Sequence, residues 1–236
     1  MINNDKKTIL ITGSSRGVGK KIATYYLDNN YIVIGFSRGE KTILHDSYFH
    51  YCVDVGDVNT VHSAFTEIKK KFSKLDIVVN NAGVLTSQYS LIMSPAAAQS
   101  MLAVNLFGPF IVSRESVKIM KKNKYGRIIN IGSMAARLEP IGDSIYAATK
   151  SGLITLTNIL SKEYSPYGIT CNTLCINAIE SDMLAQLPRE KINQIINTLP
   201  INRFSFIEDI TNVIDFYISE KSNSITSQTI FLGGVS

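Results

Sequence analysis

Cysteine and histidine are scarce in this sequence, three of each in 236 residues. Cys171 and Cys175 fall in one expected strand, where a rise of ~3.3 Å per residue sets them ~13 Å apart on one face. That spacing excludes a disulfide between them. Cys52, His45, His50 and His62 make no ligand set either, so no metal is expected. No uninterrupted apolar run approaches the ~20 residues that span a bilayer. The polar start, Met1–Lys7, leads into a short apolar strand and not into a signal-peptide core. A soluble, cytoplasmic protein with no membrane contact is expected. Nor is there a low-complexity tract, and charged residues make up 18% of the chain, which argues against disorder. The net charge is +5, but no arginine stripe with interleaved aromatics points to nucleic acid. The densest cationic runs, Lys69–Lys71 and Lys121–Lys124, sit where helices are expected to end, and cations there complement the helix dipole.

A hydrophobic content of 45% is enough for one sizeable core, and one domain over residues 1–236 is expected. Apolar runs at Thr8–Ile11, Tyr31–Phe36, Tyr48–Val53, Leu75–Val79, Arg127–Ile131, Ile169–Leu174 and Thr229–Leu232 read as strands. Between them, helical spacing predicts helices over Gly19–Asn29, Asp57–Phe72, Pro95–Lys122, Ile145–Tyr164 and Asp209–Ile218, with a mobile helical flap at about 182–203. The alternation predicts an α/β fold of Rossmann type. It would be a doubly wound, mostly parallel sheet of about seven strands with helices on both faces.

Between the first strand and first helix stands Thr12-Gly13-Ser14-Ser15-Arg16-Gly17-Val18-Gly19. Glycines let the backbone turn tightly against a pyrophosphate, and the helix N-terminus offers N–H donors. Strand two ends Phe36-Ser37-Arg38, with no carboxylate before Glu40 to hold a ribose 2′-OH. Arg16 and Arg38 suit a 2′-phosphate instead, so NADP(H) is expected over NAD(H). Further on, Tyr146 and Lys150 lie four apart at the start of a helix and share a face. An ammonium ~4 Å from a phenol would favour phenolate by roughly 4 kcal/mol at an effective dielectric of about 20.

With Asn80-Asn81-Ala82-Gly83 after strand four, Asn105 in the long helix and Ser133 after strand five, the sequence resembles the short-chain dehydrogenase/reductase family almost end to end. The resemblance implies a tetrad of Asn105, Ser133, Tyr146 and Lys150. Ser133 would hydrogen-bond the substrate oxygen and Tyr146 would pass it a proton. Lys150 would tune Tyr146 and hold the nicotinamide ribose, and Asn105 would hold a proton-relaying water. It also implies that Asp54 and Val55 lie along the adenine and that Asn80 and Ala82 line the ribose side. Asn81, Gly83, Ile179 and Ser181 complete the cofactor contacts. Two departures stand out. Ile176-Asn177 replaces the usual Pro-Gly after strand six, and Leu232-Gly233-Gly234 replaces Asp-Gly-Gly.

The chain is similar to the β-ketoacyl carrier-protein reductases, which implies a ketoreductase acting on a small carbonyl or alcohol. Tyr167 stands where a basic residue would help dock an acyl carrier protein, which weakens that partner. A sugar or secondary-metabolite dehydrogenase is the alternative within the enzyme class, and a non-catalytic cofactor-binding sensor the alternative outside it. The resemblance implies a homotetramer or homodimer, paired through the two long helices with Met101, Leu102, Leu153 and Leu156 at the contact.

Overall fold

The computed structural model describes residues 6–180, 184–186 and 189–235. Seven strands form one sheet: β1 Thr8–Thr12, β2 Ile32–Ser37, β3 Tyr48–Cys52, β4 Ile77–Asn80, β5 Gly126–Ser133, β6 Ile169–Ile176 and β7 Thr229–Phe231. Their order is β3-β2-β1-β4-β5-β6-β7, and every pair is parallel. β1, β2 and β4 are buried along their whole length, as continuous Ile/Val runs require when helices cover both faces. On one face pack α2 (Val58–Lys71), α4 (Gly108–Met120) and α6 (Ser144–Tyr164), through residues such as Phe65, Val112 and Leu160. On the other lie α1 (Gly17–Asp28) and α8 (Ile207–Ile218), through Ile22, Tyr26, Ile210 and Ile214. α3 (Pro95–Leu102), α5 (Ala135–Leu138) and α7 (Arg189–Asn197) are shorter.

The chain order reverses between β1 and β4, which opens a crevice at the carboxyl ends of those strands. The expected elements are present with small shifts of boundary: β5 and β6 each run two residues further than their sequence pattern indicates. The expected single helix from Pro95 is in fact three pieces. A π-turn over Ala103–Phe107 separates α3 from α4, and the Gly108 N–H reaches back to the Ala103 carbonyl. The cause is Pro109, which has no N–H to give to the carbonyl four residues earlier, that of Asn105.

Pro95–Met120 is also the one described segment long and apolar enough to cross a bilayer, which an uninterrupted-run criterion misses. Here its α4 part packs on α2, α6, β4 and β5, with Ser113, Glu115 and Ser116 buried among them. The Glu115 carboxylate draws in Lys118 and also Lys69, whose Nζ is 3.6 Å away. These cations hold its carboxyl below the usual range against burial.

α6 is fixed to the sheet by a buried chain of polar side chains. Asn80 Nδ2 of β4 donates to Asn130 Oδ1 of β5 at 2.8 Å. Asn130 Nδ2 donates to Thr157 Oγ1 of α6 at 2.8 Å, and Thr173 Oγ1 of β6 donates to the same oxygen at 3.0 Å. Thr157 passes its own proton to the Leu153 carbonyl at 2.7 Å. All four side chains are buried. Asn80 Oδ1 finds no hydrogen-bond partner among the described residues, but the shared bonds still specify position, because loss of one member leaves its neighbours unsatisfied.

Candidate active site

A cleft of about 710 Å³ opens at the carboxyl ends of the central strands. Its phosphate end is the turn between β1 and α1. Gly13 takes φ +71°, and its N–H and that of Ser14 both donate to the Phe36 carbonyl, at 2.8 and 3.2 Å. A Cβ on Gly19 would sit 2.2 Å from the Gly13 carbonyl oxygen, so only glycine lets α1 start this close to the loop. Thr12 ties the loop to the segment after β4. Its hydroxyl oxygen accepts from the N–H groups of Asn81 at 3.0 Å and Ala82 at 2.9 Å, and its carbonyl accepts from Asn81 Nδ2 at 2.9 Å. Thr12 opens the glycine-loop motif, but its tie to Asn81 and Ala82 shows only in three dimensions.

Gly13, Ser15, Arg16, Gly17, Val18 and Gly19 all line this end of the cleft, with Ser37 and Arg38 at the tip of β2. Both arginine side chains are exposed. Ser37 Oγ also bonds His50 Nε2 at 2.8 Å, a neighbour that the sequence pattern does not indicate. Asp54 and Val55 form the next wall, the Asp54 carboxylate accepting from the Gly56 N–H at 2.9 Å. Asn81, Ala82 and Gly83 follow, and Ile179 closes the far side. Ser181 lies outside the described residues. Asn80 is the exception. Expected on the ribose side, it turns into the core, where Nδ2 serves Asn130 and, at 3.1 Å, Ser113. A residue at the end of a parallel strand alternates faces with its neighbour, and Asn81 takes the cleft side.

At the middle of the cleft Ser133, Tyr146 and Lys150 come together from the end of β5 and the first turns of α6. Ser133 Oγ accepts from the Ala135 N–H at 3.1 Å and is hydrogen-bonded to the Tyr146 phenol. Lys150 is 4% exposed, its Nζ donates to the Ile131 carbonyl at 2.8 Å, and it lies 5.9 Å from the centre of the Tyr146 ring. Burial holds the ammonium down at about 8. The phenol moves the other way from the lowering expected of Lys150. Burial raises it, the Ser133 hydroxyl only partly offsets that, and Asp143 and Cys175 raise it further. Tyr146 therefore keeps its proton at neutral pH.

Asn105 sits in the π-turn, fully buried, and clasps Val84 through Oδ1 accepting from its N–H and Nδ2 donating to its carbonyl, both at 2.8 Å. Nδ2 also reaches Thr149 Oγ1 at 3.3 Å. Both amide protons are thus committed. Pro109 has no N–H to give to the Asn105 main-chain carbonyl, so that oxygen lacks the donor a regular helix would supply. The rest of the cleft is lined mainly by apolar side chains, Leu85, Met134, Pro140, Ile176, and Ile192 and Ile195 of α7, with Asp143 and Asn177 as polar members. The residues present fit a dinucleotide, with a glycine cradle at one end, a carboxylate and apolar wall beside it, and acid–base groups at the other end.

The family profile of the short chain dehydrogenases matches residues 7–192. The chain is 34% identical over 236 residues to the 3-oxoacyl-acyl-carrier-protein reductase FabG of Buchnera aphidicola subsp. Schizaphis graminum, covering 98% of this chain and 97% of that one. Among solved structures, a 4-hydroxyisoleucine dehydrogenase complexed with NADH superposes with a TM-score of 0.88 at 25% identity, covering 98% of this chain and 99% of that one. A variant of ElxO with NADPH bound superposes at 0.87 with 27% identity, covering 96% of each chain.

Proposed function

Because this chain belongs to the short-chain dehydrogenase family and is an oxidoreductase between a carbonyl and an alcohol using a nicotinamide cofactor, we propose that it is an NADP(H)-dependent ketoreductase. The whole chain would act as one domain. The observation that carries the reading is the meeting of Ser133, Tyr146 and Lys150 in one cleft with the glycine loop. The bound cofactor would supply the hydride to the carbonyl carbon. Ser133 would hydrogen-bond the carbonyl oxygen, and Tyr146 would donate its phenolic proton to that oxygen as the alcohol forms. Lys150, fixed on the Ile131 carbonyl, would place its remaining donors towards the ribose and keep a positive charge beside the phenol. Asn105 would hold the loop at Val84 and present its carbonyl to a relaying water.

Support for NADP(H) is the pair Arg16 and Arg38 at the rim, with no carboxylate at the end of β2. The apolar wall of Leu85, Met134, Ile176 and Ile192 favours a ketone with an apolar body over a sugar. A 3-oxoacyl group, named for the Buchnera relative, has that character. Delivery by a carrier protein is less supported, since Tyr167 replaces the basic residue that would meet an acidic carrier. A sensor without catalysis has no support from a cleft holding all three acid–base groups. A cytoplasmic location and a two-fold or tetrameric assembly accompany this reading. The test is NADPH consumption by the purified protein with a panel of β-keto esters, β-keto thioesters and keto-sugars. Turnover confined to keto-sugars would overturn the ketoreductase reading.

A further inference from the structure

The corner where β6 enters the cleft is where this sequence departs from its family, and Asn177 gives the departure a structural role. Asn177 is 6% exposed, and its amide is spent on the segment beyond α7. Nδ2 donates to the Arg203 carbonyl at 3.3 Å, and Oδ1 accepts from the hydroxyl of Ser205, itself buried. A carbonyl can only accept, so the orientation of the amide is fixed by Arg203. The Ser205 N–H adds a bond to the Ala178 carbonyl at 2.8 Å.

The C-terminal turn closes on the same point. A Cβ on Gly233 would come 2.9 Å from Asn177 Nδ2 and 3.2 Å from Leu199 Cδ1, and the Ile201 N–H donates to the Gly233 carbonyl at 3.2 Å. Asn177 thereby joins the end of β6, the exit of α7 and the final turn. A glycine at 177 would supply neither side-chain bond. The helix so tethered packs Ile192 and Ile196 on Ala178, beside Phe204, and presents Ile192 and Ile195 to the cleft that holds Tyr146.

We infer that Asn177 is a positioning residue that fixes the exit of α7, and through Ile192 and Ile195 sets how tightly the carbonyl substrate is seated. It lines the same cleft but acts on substrate binding and not on proton transfer, because its amide bonds the Arg203 carbonyl and the Ser205 hydroxyl and none of the reacting groups. The inference rests on the reading that this cleft takes both cofactor and carbonyl.

The experiment compares wild type with Asn177→Gly, Asn177→Asp and Ser205→Ala. Ethyl acetoacetate and saturating NADPH give steady-state rates, NADPH titration gives cofactor affinity, and hydrogen exchange reads the Ile201 and Ser205 amides. Asn177→Gly and Ser205→Ala should raise the KM for the ketone at least fivefold, with kcat and the NADPH Kd within twofold, and speed exchange of both amides at least tenfold. Asn177→Asp keeps the Ser205 bond and loses the donor to Arg203, so its KM should fall between; it carries the test if the glycine variant does not fold. Unchanged exchange, or a fall in kcat with KM unmoved, would overturn the inference. If wild type does not turn over ethyl acetoacetate but exchange quickens in the variants, the tether stands and the ketoreductase reading is what fails.

Discussion

Lys150 Nζ donates to the main-chain oxygen of Ile131 at 2.8 Å, so the ammonium of α6 is anchored on the neighbouring strand β5 and not on Tyr146. The strand carbonyl fixes where the charge sits, while burial lowers its affinity for a proton to about 8. An ordinary lysine titrates near ~10.4. Between those values the unfolded chain holds more protons than the folded one, so this group's contribution to stability rises with pH there. Function runs the opposite way. The kcat/KM for NADPH, which reports the free enzyme, should be level up to about pH 8 and fall above it as the ammonium is lost. Lys150→Arg, always charged, should lack that limb, while restoring only part of the rate because its geometry differs.

Removal of the Tyr146 proton should be the most damaging single change. Tyr146→Phe keeps the ring in place and should cut turnover by ~10²–10⁴, with NADPH affinity nearly unchanged. Retention of more than about a tenth of wild-type turnover on the true substrate, against that expected loss, would refute Tyr146 as the acid. Ser133→Ala should lower turnover without weakening the cofactor.

At the rim, Arg38→Asp should reverse cofactor choice. A charge-assisted hydrogen bond contributes ~1.5–3 kcal/mol, so NADPH binding should weaken more than tenfold while NADH gains. Titrations of both cofactors at low salt decide it, and equal affinity of the wild type for the two would refute the NADP(H) assignment.

Thr157→Val is close in shape but leaves Asn130 Nδ2 and Thr173 Oγ1 facing a methyl group. The cost should be ~1–3 kcal/mol per unsatisfied group, read as a lower denaturant midpoint at constant m-value.

Met101 and Leu153, expected at a contact between copies, are 1% exposed inside their own chain, and Leu156 packs against the core. Leu102 of α3, Phe107 of the π-turn and Ile159 of α6 are the exposed large apolar groups in these two segments. A pair of charges, Phe107→Asp with Ile159→Asp, should convert an oligomer to monomers by light scattering at micromolar concentration; a monomeric wild type would refute the assembly.

The order of strands and helices is legible in the sequence because buried parallel strands are written as unbroken Ile/Val runs, and the cofactor loop because glycine spacing is a steric demand. Tyr146 and Lys150 are legible as a pair on one helix face, but the roles of Ser133, Asn105 and the Asn81–Gly83 turn are legible only through the resemblance to the family. The π-turn is less so, although Pro109 marks it, since helical periodicity continues across it. The inward turn of Asn80, the tether through Asn177 and the direction in which burial moves the Tyr146 phenol all depend on which long-range neighbours arrive, and no local pattern carries that.

The polar chain from Asn80 through Asn130 and Thr157 to Thr173 has a further consequence for accuracy of assembly. An apolar α6 could slide along the sheet by one helical turn and still bury oily surface. That slip of about 5.4 Å would carry Tyr146 and Lys150 out of reach of Ser133 and the Ile131 carbonyl. The hydroxyl of Thr157 meets its two donors at one axial setting only, so a misplaced helix would strand polar groups from two strands, β5 and β6, at once. The chain thus works as a translational detent, selecting the one placement of α6 in which the reacting groups coincide.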